Sequence, residues 1–126
     1  DAGSPPTGYD TLYLNVTRGA HYMWPDCYGY SHPLAMSTCG GGQAPNWSSE
    51  TSTYVPTGAT FVDADGPAGY AGHLVFCTYD KGMAIVTDGS PHATVRLGPS
   101  GCRFDVVEGP NHALYYSDET HIYELA

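Results

Sequence analysis

Glycine and proline punctuate this chain so evenly that no segment of ten or more residues carries a helical apolar period free of both. There are 16 glycines and 10 prolines in 126 residues. Proline lacks the backbone donor and pushes the residue before it out of helical angles, and glycine makes any regular element entropically expensive. Long helices are thereby excluded. Between the breaks stand short runs with a two-residue period, which is the pattern of brief strands joined by turns. Disorder is a poor alternative, because aromatic residues make up 13% of the chain and 11 of them are tyrosines. A chain of this length makes one domain with one core.

Residues 1–9 read as an irregular lead-in. Thr11 to Thr17 reads as a strand with Leu12, Leu14 and Val16 on one face. After a turn at Arg18-Gly19-Ala20, His21-Tyr22-Met23-Trp24 is expected to be a short extended piece ended by Pro25. Residues 26–52 form a long loop rich in Gly, Ser, Thr and Asn, of a length that is usually functional or disordered. From Tyr54 the signals become regular, with Ala59–Val62, His73–Thr78, Met83–Thr87 and Ala93–Leu97 as strands. Four strands in about 40 residues are the content of one propeller blade. Cys102–Val107 and two terminal strands follow, the latter entered through Gly109-Pro110-Asn111 and joined at Ser117-Asp118-Glu119. These make three strands of a second blade.

The net charge is −9, and the cations are Lys81, Arg18, Arg96 and Arg103. So acidic a surface repels phosphate and offers no basic patch to anionic lipid, which argues against nucleic acid and membrane as partners. No apolar run approaches the roughly 18 residues of a membrane helix.

Cys27, Cys39, Cys77 and Cys102 lack the close paired spacing of a zinc site or a haem attachment. Four cysteines allow three pairings. Cys27–Cys39, closing a glycine-rich loop, and Cys77–Cys102, tying neighbouring strands, are the expected pair; four free thiols in a cytosolic protein are the alternative. The sequons at Asn15 and Asn46 would accept N-glycans on a secretory route. Cysteines, sequons and scarce lysine together predict a secreted, extracellular protein whose leader has been removed.

Three segments, in order, resemble the glucose/sorbosone dehydrogenase family of β-propellers. His21-Tyr22-Met23-Trp24-Pro25 is similar to a tyrosine-glycine-tryptophan-proline signature, with Met23 where the family has glycine. That departure implies a changed backbone angle or a side chain entering the local core. Pro56-Thr57-Gly58-Ala59, Gly72–Phe76 and Asp80-Lys81-Gly82 resemble the penultimate blade. Arg103–Val107, Gly109-Pro110 and Ala113-Leu114-Tyr115 resemble the last. The resemblance implies an all-β chain forming about two blades of a six-bladed propeller. Residues 10–52 would supply a strand and a disulfide loop, 53–98 one blade, and 99–126 an incomplete last blade. A small disulfide-bonded β-sandwich is the alternative.

The same resemblance implies the C-terminal portion of a quinone-dependent sugar or aldose dehydrogenase, inactive alone. Pyrroloquinoline quinone and calcium would be held largely by blades upstream of this chain. Here Arg103, Thr53 and Lys81 fall at or near cofactor-contacting positions, with Arg103 one position earlier than in the glucose-type members, Lys81 at the position or one residue after it, and Asp80 an alternative to Lys81. Its partners would be the remaining blades, in a parent chain or another subunit, and a carbohydrate substrate. The alternative function is a non-catalytic secreted glycoprotein that binds carbohydrate or self-assembles.

An arginine beside Cys102 and Phe104 is expected to be partly buried and to need an anion, either the quinone or a carboxylate such as Asp105. Lys81 and Thr53 each have a plainer reading, as a solvated turn residue and a strand residue. The six histidines show no metal-ligand spacing, and no metal site is expected; Asp63, Asp65 and Gly66 resemble a calcium loop only vaguely. The tyrosines, Trp24 and Trp47 serve either as core and cross-strand pairs or as stacking faces for sugar rings.

Overall fold

The computed structural model describes residues 9–24, 26–34 and 38–126, and every regular element among them is a β-strand. The chain is all-β. The irregular lead-in expected before Tyr9, and Pro25, lie outside the described residues. Backbone contacts divide the chain into two compact units, Asp1–Thr53 and Tyr54–Ala126.

The first unit holds four two-residue strands. These are β1 (Thr11–Leu12), β2 (Cys27–Tyr28), β3 (His32–Pro33) and β4 (Trp47–Ser48). β1 pairs antiparallel with β4, placing Thr11 opposite Ser48 and Leu12 opposite Trp47. β2 and β3 form a hairpin with Tyr28 opposite His32. The expected strand over 11–17 is cut to its first two residues. Leu14 gives its N–H to the Asn46 side chain (2.7 Å), and Asn15 adopts φ 56°, so the ladder ends there and Val16 turns to solvent. The segment 21–24 is not a strand either. Met23 stands at φ 63° and the Trp24 N–H bonds back to the Tyr22 carbonyl at 2.7 Å. Both consequences proposed for Met23 occur together, since its side chain is also buried. Within the expected loop 26–52, the described residues carry β2, β3 and β4 and the Cys27–Cys39 bridge (Cα–Cα 5.4 Å).

The second unit begins with β5 (Pro56–Phe61), β6 (Leu74–Thr78), β7 (Gly82–Thr87) and β8 (Thr94–Leu97), an antiparallel sheet in sequence order. A second sheet follows from β9 (Val106–Glu108), β10 (Leu114–Ser117) and β11 (Ile122–Leu125), again a meander. The four strands and the three strands read from the sequence are therefore present and neighbour one another in order. Thr78 fixes the β6–β7 turn from inside: its hydroxyl donates to the Gly82 carbonyl at 2.8 Å and accepts the Lys81 N–H at 2.9 Å.

The core of this unit comprises Val62, Val75, Cys77, Met83, Ile85, Cys102, Val106, Leu114 and Tyr116. Cys77 and Cys102 are bonded within it, Cα–Cα 4.8 Å, so both expected pairings are present. Thr57 and the 103 carbonyl (3.0 Å), and the Asp63 N–H and Glu108 (2.7 Å), join the β5 side to the β9 side. The terminal hairpin is antiparallel, with Leu114 opposite Leu125 and Ser117 opposite Ile122. Leu114 and Tyr116 face the core, whereas Ile122 shares a face with Ser117 and is 80% exposed.

Candidate functional site

The strongest candidate lies in the first unit. Tyr9, Thr11 and Tyr13 follow one another at the two-residue period around β1, and β2 contributes Cys27 and Tyr28. With Trp24 these residues line a groove of about 420 Å³, a size suited to a small ligand. The left-handed turn at Met23 explains how Trp24 comes to project. Met23 sinks its side chain into the local core, and the next residue is left 59% exposed.

The groove wall is held rigid from behind. Tyr9 and Tyr28 stack at 5.3 Å between ring centroids, and Tyr28 stacks on His32 at 5.2 Å. His32 Nε2 meets Glu50 Oε2 at 2.8 Å, and Glu50 Oε1 accepts the Tyr30 N–H at 3.1 Å. Burial pushes the Glu50 carboxyl upward, but hydrogen bonds from His32, the Ser48 side chain and the Tyr30 backbone outweigh it and hold it below its ordinary range. Gly29, at φ 56°, makes this packing possible, since a Cβ there would stand 2.8 Å from Glu50 Oε1 and 2.9 Å from the His32 ring. On the other flank Tyr13 donates to the Tyr22 carbonyl at 2.8 Å and meets the Tyr22 ring edge-on. Burial raises its pKa, so the phenol remains a donor at neutral pH. Trp24 and Trp47 separate in role: Trp24 lines the groove and Trp47 is buried opposite Leu12.

Of the residues expected to contact the quinone, Arg103 and Lys81 form ion pairs with carboxylates of the chain. Arg103 is 40% exposed at its side chain and pairs with Glu119 Oε1 at 2.7 Å, not with Asp105. Asp105 instead accepts the Val106 N–H at 2.9 Å. The guanidinium also lies over the Tyr79 ring at 5.2 Å. Lys81 pairs with Asp80 at 3.2 Å. Thr53 closes the first unit, whereas Lys81 and Arg103 belong to the second. The cleft beside Arg103, about 520 Å³, also carries Asp118 and Glu119. Two carboxylates facing one guanidinium repel a tricarboxylate, so these side chains do not fit the quinone in this arrangement.

Asp118 in that cleft is held well below the usual carboxylate range, first by the Tyr123 hydroxyl (2.6 Å) and then by the Thr120 N–H (2.8 Å). Both sequon asparagines are at the surface, and the Asn15-Val16-Thr17 triplet is exposed throughout. Comparison with protein families, with curated proteins and with solved structures finds no significant match.

The sequence points to the tyrosines only as a class. What singles out Tyr9, Tyr13, Trp24 and Tyr28 is the pairing of β1 with β4 and the left-handed turn at Met23. Neither is legible locally.

Proposed function

We propose that the chain is a secreted, non-catalytic module that binds a neutral carbohydrate in the groove lined by Tyr9, Thr11, Tyr13, Trp24 and Tyr28. The observation that carries this is the exposed Trp24 set among three tyrosines, with no charged side chain among the described lining residues. A sugar ring offers an apolar C–H face and a rim of hydroxyls. Aromatic faces take the first through dispersion and their quadrupole, and tyrosine and threonine hydroxyls take the second. An uncharged, aromatic lining selects against sugar acids and phosphates. Two disulfides favour an oxidising compartment, and the exposed sequon at Asn15-Val16-Thr17 would carry a glycan there; at Asn46 the asparagine is exposed but Trp47 and Ser48 of its sequon are buried.

Calorimetry against neutral oligosaccharides tests the reading, with a charged uronate oligomer as the counter-ligand. Removing a stacked ring should weaken binding by about 1–3 kcal/mol, the scale known for planar rings on aromatic side chains. Trp24→Ala is therefore expected to lower affinity roughly 5- to 150-fold with the fold intact. Unchanged affinity in that variant, or preference for the uronate, would sink the assignment.

A second reading keeps the C-terminal portion of a quinone-dependent sugar dehydrogenase. Its support is the succession of a four-stranded and a three-stranded meander, the blade-like order in which the resembling segments fall. It requires Arg103 and Lys81 to leave Glu119 and Asp80 for an anion. Quinone binding to the chain that is lost in Arg103→Lys would favour it; failure of the quinone to bind would count against it.

A further inference from the structure

In the second unit three side chains from distant parts of the chain converge at one end of the sheets. Asp63 follows β5, Glu108 ends β9, and His112 sits in the turn before β10. One ligand atom from each lies within 4.8 Å of the others. Glu108 Oε1 stands 3.1 Å from His112 Nδ1, and Asp63 Oδ2 stands 4.0 Å from the same nitrogen. Metal–ligand bonds of about 2.0–2.2 Å to nitrogen and oxygen place neighbouring ligands about 3.0–3.5 Å apart. The trio needs only a small closing movement at Asp63, which is 76% exposed at its side chain and free to make it.

The centre of the trio is oriented in advance. Glu108 lies opposite Leu114 on the inner face of the sheet, and its side chain is only 10% exposed. Its second oxygen, Oε2, accepts the Asp63 N–H at 2.7 Å, which fixes the carboxylate plane and leaves Oε1 directed at His112. A carboxylate so far from water needs a compensating positive charge. Among the described residues, the ion-pair partner that Asp63 and Glu108 share is His112, and neither a lysine nor an arginine joins them.

We propose that Asp63, Glu108 and His112 bind one divalent transition-metal ion, of which zinc is the best match. An imidazole with two carboxylates suits a borderline ion; calcium takes oxygen ligands alone, and magnesium keeps most of its water. Three protein ligands leave the fourth position of a tetrahedral ion to water on the solvent side. The ion would bridge the β5 end of one sheet to the β9–β10 turn of the other, adding a cross-link remote in sequence from the Cys77–Cys102 bond.

The test is calorimetric titration of the chelator-treated, disulfide-intact protein with zinc chloride, repeated with calcium chloride. One zinc per chain is expected, with calcium bound at least about tenfold more weakly. His112→Ala should lose at least about tenfold in zinc affinity, and His121→Ala, on the other turn of the terminal sheet, should lose nothing. Glu108→Gln tests the carboxylate, but it also disturbs the bond to Asp63; the exposed Asp63→Asn supplies a second variant that leaves Glu108 in place and should weaken zinc. Equal zinc affinity in His112→Ala, equal losses in His112→Ala and His121→Ala, or calcium binding as tightly as zinc would each overturn the proposal.

Discussion

Replacing Cys77 and Cys102 together by alanine removes a bond that spans 25 residues of sequence in the core of the second unit. Closing a loop of that length in the unfolded chain costs about 12 cal/mol/K of entropy, or about 3.5 kcal/mol at room temperature. The Cys102 carbonyl still accepts the Thr78 N–H at 3.2 Å, so the backbones stay in register and little native-state relaxation offsets the loss. Both cysteines are fully buried, and the alanines leave small voids that add to the cost. For a unit of this size, 3.5 kcal/mol corresponds to a fall in melting temperature of roughly 15–25 °C. The bridge Cys27–Cys39 spans 12 residues, and the same reasoning gives about 2.8 kcal/mol for its removal. Urea unfolding of the two double variants, followed by far-UV dichroism, measures both. A loss below about 1 kcal/mol for Cys77→Ala/Cys102→Ala would refute the argument, since it would mean the unfolded chain gains no freedom when the bond is absent.

The remaining expectations follow from burial, close approach and charge. Leu114→Ala, at a fully buried core position, should cost about 2–5 kcal/mol, while Ile122→Ala should stay within about 0.5 kcal/mol in the same urea assay. Gly58→Ala should destabilise by about 1–3 kcal/mol, because its Cβ would overlap the Asp105 carboxylate and stand 2.7 Å from the Asp105 Cα; an unaffected midpoint would show that β5 yields freely where its register with β6 shifts between Pro56 and Ala59. Asp118, whose carboxyl is depressed in the fold, contributes stability that is present above its unfolded pKa of about 3.9 and lost as pH falls below that value. Asp118→Asn keeps an acceptor for the Thr120 and His121 N–H groups but does not titrate, so its urea midpoint should fall less than that of the parent chain between pH 5 and about pH 3.

Strands whose partners lie next to them in sequence were legible, because their turn chemistry and two-residue period are local. His73–Thr78 with Met83–Thr87, and the terminal pair after Gly109-Pro110-Asn111, are the clearest cases. The first unit was not legible in this way. Its pairing of Thr11 with Ser48 depends on a partner far along the chain, and Leu14 stops the strand only because the Asn46 side chain is there to accept its N–H. Met23 in a left-handed turn breaks the preference of a bulky residue, and the burial of its side chain is what offsets the strain. For Arg103 the need for an anion was readable, but its identity was not: Glu119, between β10 and β11, takes the guanidinium, while Asp105 accepts the Val106 N–H. The trio of Asp63, Glu108 and His112 escaped for the same reason, since 45 residues separate Asp63 from Glu108.

The sequential order of both meanders bears on how the chain folds as it leaves the ribosome. In the second unit each strand after β5 finds a partner already made just before it, except where β9 starts a new sheet. Loop closure there is cheap, and each hairpin can form while the next is still being synthesised. The first unit must wait: Thr11 and Leu12 stay without their β-partners until Trp47 and Ser48 have emerged. The aromatic groove built on β1 is therefore completed by a late contact, and a slowed ribosome would expose its tyrosines to chaperones for longer than any strand of the second unit.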